Sequence, residues 1–153
     1  MSGMSDGAQA LDDIVMTSAD FARLEIIAYE ETDALRANIL AKLAIGKVIG
    51  GAEMPTNVAT IGSVVRYRIG DGPVERRALS LPEASRPNGQ FINILTPVGL
   101  ALLGRRAGET FATALPDGGE LSITLVDVEF QPEAEVRRRS QSYRPDDDGP
   151  GAA

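Results

Sequence analysis

The 153-residue sequence contains no cysteine, no histidine and no tryptophan. Without cysteine there is no disulfide framework, no thiolate metal ligand and no thiol nucleophile. Without histidine, His-ligated zinc, haem ligation by His and Ser-His-Asp triads are excluded. Aromatic residues make up only 5% of the chain, so its core must be aliphatic. No run of about 18 apolar residues occurs, as a membrane-spanning helix needs. The opening residues also lack the basic start and long apolar stretch of a secretory signal. These features are those expected of a cytoplasmic protein. Any chemistry must come from carboxylates, Lys/Arg, hydroxyls or a site shared with a partner.

What remains is globular in composition, with 43% hydrophobic and 24% charged residues. The net charge of −7 argues against strong independent binding to nucleic-acid phosphates. Both ends read as disordered, over 1–16 and 137–153, because they offer little aliphatic surface to offset chain entropy. The run Arg137-Arg138-Arg139 reads as part of a solvated tail.

Residues 17–50 read as a short helical hairpin. Thr17 is a good N-cap, Asp20 stands in capping-box position, and Met16 and Phe21 occupy the positions of a hydrophobic staple. Phe21, Leu24, Ile27 and Ala28 then form one apolar helical face. The polar stretch Glu30-Glu31-Thr32-Asp33 breaks the pattern and caps a second helix, in which Leu35, Ile39 and Leu43 repeat every four residues. About fourteen helical residues give an arm of about 21 Å. Gly50-Gly51 ends it.

From residue 59 the period changes to two. Strands are expected over 63–69, 74–81, 90–95, 109–115 and 120–130, with turn signals at 70–73 and 116–119. The last strand changes phase between Leu125 and Val126, which suggests a bulge. Thr96, Pro97 and Gly104 have the residue types of an N-cap, a first helical position and a left-handed stop, so a short helix lies between the third and fourth of these strands. The fold class is α+β: an antiparallel helical hairpin followed by a mainly antiparallel domain over 51–136.

Three groups of residues are candidates for function. The GxxxxG spacing at Gly99 and Gly104 encloses Leu, Ala, Leu and Leu, so it reads as a buried helix rather than a phosphate cradle. The acids Glu30, Glu31 and Asp33 at the hairpin bend either help to hold a divalent cation with a partner or form a solvated turn. Arg66, Arg68, Arg76 and Arg77 either face an acidic partner or phosphates, or protect an edge hairpin.

The string around Ile92, Ile94, Thr96-Pro97-Val98-Gly99, Ala101-Leu102-Leu103-Gly104 and Gly108-Glu109 resembles the C-terminal signature of the bacterial transcript-cleavage factors GreA and GreB. Thr32-Asp33-Ala34-Leu35, Glu53-Met54-Pro55 with Val58 and Thr60, Val65-Arg66-Tyr67-Arg68 and the stretch 130–134 look closer to the sister family of regulators of nucleoside diphosphate kinase, Rnk. The resemblance spans about 18–135. It implies an FKBP-like domain with a short coiled-coil arm, and binding to RNA polymerase near the rim of the secondary channel. It also implies Thr96, Pro97, Val98, Gly99, Leu102, Leu103 and Gly104 as docking candidates, with no catalytic residue, metal or cofactor. The arm is shorter than that of the Gre factors and lacks the usual Rnk tip stretch. A Gre-type cleavage role for Glu30, Glu31 and Asp33 therefore stands as the alternative reading, as does regulation of a nucleoside diphosphate kinase or another regulatory protein. Peptidyl-prolyl isomerisation, suggested by the fold alone, conflicts with the scarcity of aromatics.

Overall fold

The structure is a computed structural model that describes residues 14–86 and 88–142. Its elements run β1 (Ile14–Thr17), α1 (Ser18–Glu30), α2 (Asp33–Ile45), β2 (Gly46–Ile49), β3 (Val64–Ile69), β4 (Glu75–Ser80), β5 (Phe91–Asn93), α3 (Pro97–Leu102), β6 (Thr110–Ala114), β7 (Glu120–Phe130) and α4 (Pro132–Ser142). The expected α+β architecture is present: a helical hairpin precedes a mostly antiparallel sheet with a short helix.

Capping sets where the helices start. Thr17 Oγ1 accepts from Asp20 N at 3.0 Å, and Thr32 Oγ1 accepts from Leu35 N at 3.5 Å. The Asp20 carboxylate does not close a capping box; its Oδ2 accepts from Ile61 N at 3.1 Å. At the bend, Arg36 replaces a glycine stop. Its guanidinium donates to Ala28 O at 2.9 Å and Glu31 O at 3.0 Å, satisfying carbonyls at the end of α1.

The base of the hairpin differs from the sequence expectation. Residues 14–16, placed in a disordered segment, form a buried strand, with Ile14 and Met16 fully buried. This strand pairs in parallel with β2, Ile14 opposite Gly46 and Thr17 opposite Ile49. Parallel strands need a long crossover, and the helical hairpin supplies it. Three consecutive apolar residues also bury enough surface to hold the segment in place. At the other end, residues 137–142 are helical rather than a disordered tail. The expected disorder of residues 1–13 and 143–153 lies outside the described residues.

The main sheet has the order β5-β4-β3-β7-β6. All neighbours are antiparallel except β4 and β5. β3 is therefore central, and the β3–β4 hairpin is not an edge hairpin. The phase change in β7 is a bulge: Tyr67 pairs with Leu125 while Arg66 pairs with Asp127, leaving Val126 unmatched. A second shift leaves Glu129 unmatched between Val128 and Phe130.

Arm and sheet share one core. Leu24, Ala28 and Ile39 of the hairpin are fully buried in the same cluster as Val65, Leu79, Leu102, Leu103, Ile123 and Leu125. Each fully buried aliphatic side chain contributes about 1.5–3 kcal/mol. The hairpin is thus rooted at its base in a core shared with the domain, not tethered by a flexible linker.

Candidate functional site

The segment 96–104 ties the arm to the domain and also borders a groove. Thr96 Oγ1 caps α3 by accepting from Gly99 N at 3.1 Å, and Pro97 takes the first helical position. A Cβ on Gly99 would overlap the carbonyl of Asn93. Gly104 has φ +85°, and a Cβ there would run into Ile14 and Val15 of β1. Gly104 O in turn accepts from Val15 N at 3.2 Å. Lys42 of α2 donates its Nζ to Ala101 O at 3.1 Å. Much of the signature therefore records packing between arm and domain.

That outcome divides the docking candidates. Leu102 and Leu103 are fully buried, and Gly99 and Gly104 are buried, so none of the four offers a surface to a partner. Thr96, Pro97 and Val98 remain accessible. They line a groove of about 400 Å³ together with Tyr67, Ile69, Phe91, Ile92 and Leu115, with Arg77 and Asn93 as polar edges. Burial of the Tyr67 ring raises its phenol pKa, against the lowering effect of nearby Arg77. Arg77 is fixed by Glu75 at 2.6 Å and by Gly89 O at 2.6 Å. The groove is thus an apolar slot with one cation at its rim. Sequence periodicity marks Tyr67 and Phe91 as strand residues but does not reveal that they line one groove.

The acids at the bend do not converge. Glu30 and Asp33 are exposed and Glu31 is half-buried. Asp33 Oδ1 accepts from Arg36 at 3.2 Å. Among the described residues no three carboxylates form a cluster suited to a metal ion. The four strand arginines do not form an open basic face either. Arg66 and Arg76 sit opposite each other across β3 and β4 and share Glu129, with Arg76 at 2.5 Å. Arg77 is paired as above, and Arg68 is exposed.

Two buried charges lie where arm meets domain, and local sequence pattern reveals neither. Burial pushes the Asp20 carboxyl up to about 6; the Ile61 N–H opposes this and the Glu133 charge adds to it. Burial pulls the Lys42 ammonium down to about 7, with Arg105 adding to the effect and Glu109 opposing it.

These features define a class: a two-helix arm rooted in the core of a five-stranded α+β domain that bears an apolar surface groove. The family model for the transcription elongation factor GreA/GreB C-terminal domain matches residues 54–130. The regulator of nucleoside diphosphate kinase of Escherichia coli K12 is 30% identical over 125 residues, covering 79% of this chain and 92% of that protein. GreA of Clostridioides difficile is 36% identical over 101 residues, covering 65% of this chain and 61% of that one. A solved prokaryotic GreA/GreB elongation factor from Nitrosomonas europaea is 34% identical, with a TM-score of 0.63 over 77% of this chain and 98% of that one. The chain belongs to the GreA/GreB family of transcription elongation factors. Among the described residues, no helix is long and apolar enough to cross a membrane.

Proposed function

We propose that this chain is a non-enzymatic regulator of transcription elongation that binds bacterial RNA polymerase at the rim of the secondary channel. The groove beside Thr96, Pro97 and Val98 is the docking face. It combines apolar walls with a single rim cation, which suits an apolar side chain presented beside an acidic one. The short arm occupies the channel mouth and competes with longer-armed factors.

The observation that carries this reading is the length and rooting of the arm. Each helix has 13 residues, or about 20 Å at 1.5 Å per residue. Asp20 and Lys42 tie the base of the arm to the domain through Ile61 N and Ala101 O, so the bend lies no more than about one such helix length beyond that base. At that bend Asp33 is engaged by Arg36 rather than presented to a metal. The name of the Escherichia coli relative supports a second reading, in which the same groove engages a nucleoside diphosphate kinase.

Affinity capture with tagged chain at low salt, followed by mass spectrometry, separates the two readings. The first expects polymerase subunits, and the second expects the kinase without polymerase. Stalled elongation complexes test the non-enzymatic part. Added protein is expected to leave the transcript uncleaved. Cleavage that disappears in Glu30→Ala or Glu31→Ala would instead establish the tip acids as participants.

A further inference from the structure

The helix α4 follows the last strand of the domain and lies beyond the family-matched residues, which end at 130. Its first two turns, with Gln131 just before them, direct their side chains onto a single stretch of chain. That stretch, residues 51–63, leads from β2 at the base of the arm to β3 at the centre of the sheet. Arg137 is bidentate, with Nη1 donating to Gly51 O at 2.5 Å and Nη2 to Met54 O at 2.8 Å. The buried Gln131 side chain donates through Nε2 to Pro55 O at 2.7 Å and Val58 O at 2.8 Å. Glu133 Oε1 accepts from Thr60 Oγ1 at 2.7 Å, and the Thr60 hydroxyl lies 2.8 Å from Ser63 Oγ. Pro132 lies against Gly62 so closely that a Cβ there would come within 2.9 Å of its ring.

Neighbouring arginines on the same helix behave differently. Arg138 and Arg139 pair with Glu135, three and four residues back on the same helix, as exposed side chains. Pairs of that kind contribute little. Arg137 instead reaches two backbone carbonyls of the connector: that of Met54, and that of Gly51, which otherwise has only a long bond of 3.4 Å from Met54 N. The planar fork of a guanidinium holds two acceptors in a fixed geometry, where a lysine offers a compact ammonium on a flexible stem.

We propose that α4 is an intramolecular clasp that sets the pose of the arm by holding the connector 51–63, with Arg137 as its principal positioning residue. The other side of the connector is zipped to the domain: Ala59 N donates to Arg105 O, Ala107 N to Asn57 O and Gly104 N to Ala59 O. The Asp20 carboxylate of α1 holds Ile61 N from the arm side. With α4 engaged, the connector is gripped from three directions and the arm is fixed relative to the groove. With the Arg137 contacts gone, the part nearest the arm, residues 51–54, loses its grip while Pro55 stays held by Gln131 and 57–61 stays anchored. This inference concerns the chain's own geometry and does not depend on which partner the groove takes.

The absence of cysteine makes the test direct. Ala34→Cys at the arm and Ala112→Cys on β6, both exposed positions, carry two spin labels on the full-length chain. Pulsed dipolar spectroscopy then reads the distribution of distances between arm and domain. Hydrogen exchange reads the amides of Glu53 and Met54, which donate to Gly50 O and Gly51 O. Arg137→Ala is expected to broaden or shift the distribution and to speed exchange at those amides about tenfold or more. Arg137→Lys keeps the charge and stem, and is expected to restore the narrow distribution only partly. Arg138→Ala is expected to change neither reading. A distribution and exchange rates unchanged in both Arg137 variants would overturn the proposal, as would equal effects from Arg138→Ala.

Discussion

Replacing Asp20 by Asn removes a charge from the root of the arm while keeping a carbonyl oxygen for the Ile61 N–H. Burial raises this carboxyl from 3.8 to about 6, with the Glu133 charge on α4 contributing. A carboxyl whose pKa is raised in the folded state adds stability only when protonated. That stability is fully present below 3.8 and is lost as pH rises through about 6. At 1.36 kcal/mol per unit, holding Asp20 ionised at pH 8 costs about 3 kcal/mol. The variant escapes that cost but gives up a negative charge in the first turn of α1, worth about 0.3–1 kcal/mol. Asp20→Asn is therefore expected to be more stable than wild type by about 2–2.7 kcal/mol at pH 8. Between pH 8 and pH 5 its advantage shrinks by about 1.4 kcal/mol, because wild type regains its proton. Urea unfolding at the two pH values measures this, provided the slopes match so that midpoints report stability alone. An Asn variant that is less stable at pH 8, or whose offset from wild type is the same at both pH values, would refute the reasoning.

Lys42 runs in the opposite sense. Its ammonium pKa falls to about 7 in the folded chain, so stability is missing below that point and grows as pH rises towards 10.5. Wild type is expected to gain on the order of 2 kcal/mol relative to Lys42→Met between pH 7 and pH 9, and parallel unfolding profiles would contradict it. Gly99→Ala places a methyl group against the Asn93 carbonyl and is expected to cost about 2–4 kcal/mol in thermal or urea unfolding; a loss below about 0.5 kcal/mol would mean that α3 and β5 are not packed as described. Arg36→Ala removes the guanidinium that bonds the carbonyls of Ala28 and Glu31 at the end of α1, and faster hydrogen exchange confined to residues around the bend is the expected readout.

The parts of the fold legible in the sequence are those with a local cause. Thr17, Thr32 and Thr96 each announce a helix start, and each caps one. The change of period near residue 59 marks the passage from hairpin to sheet, and the slipped phase at Leu125-Val126 marks a bulge. The parts that escaped have causes distant in sequence. β1 is four residues long and earns its strand character from β2, which lies beyond the whole hairpin. Asp20 finds Ile61 and Lys42 finds Ala101 across 41 and 59 positions. Arg137 stands in a run of three arginines, and only the position of the connector separates it from its neighbours. The candidate site splits in the same way. The signature 96–104 is plain in the sequence, yet spacing alone does not distinguish the buried Leu102 and Leu103 from the accessible Pro97 and Val98. That distinction depends on which face of α3 meets the sheet.

The most direct measurement is the affinity of purified bacterial core RNA polymerase for this chain and for its Pro97→Glu variant. Position 97 begins α3, where an acidic residue suits the helix and leaves the core intact. Docking through the groove predicts saturable binding of the wild-type chain, weakened at least tenfold in the variant at equal thermal stability. No binding by wild type, or equal binding by the two, would contradict it.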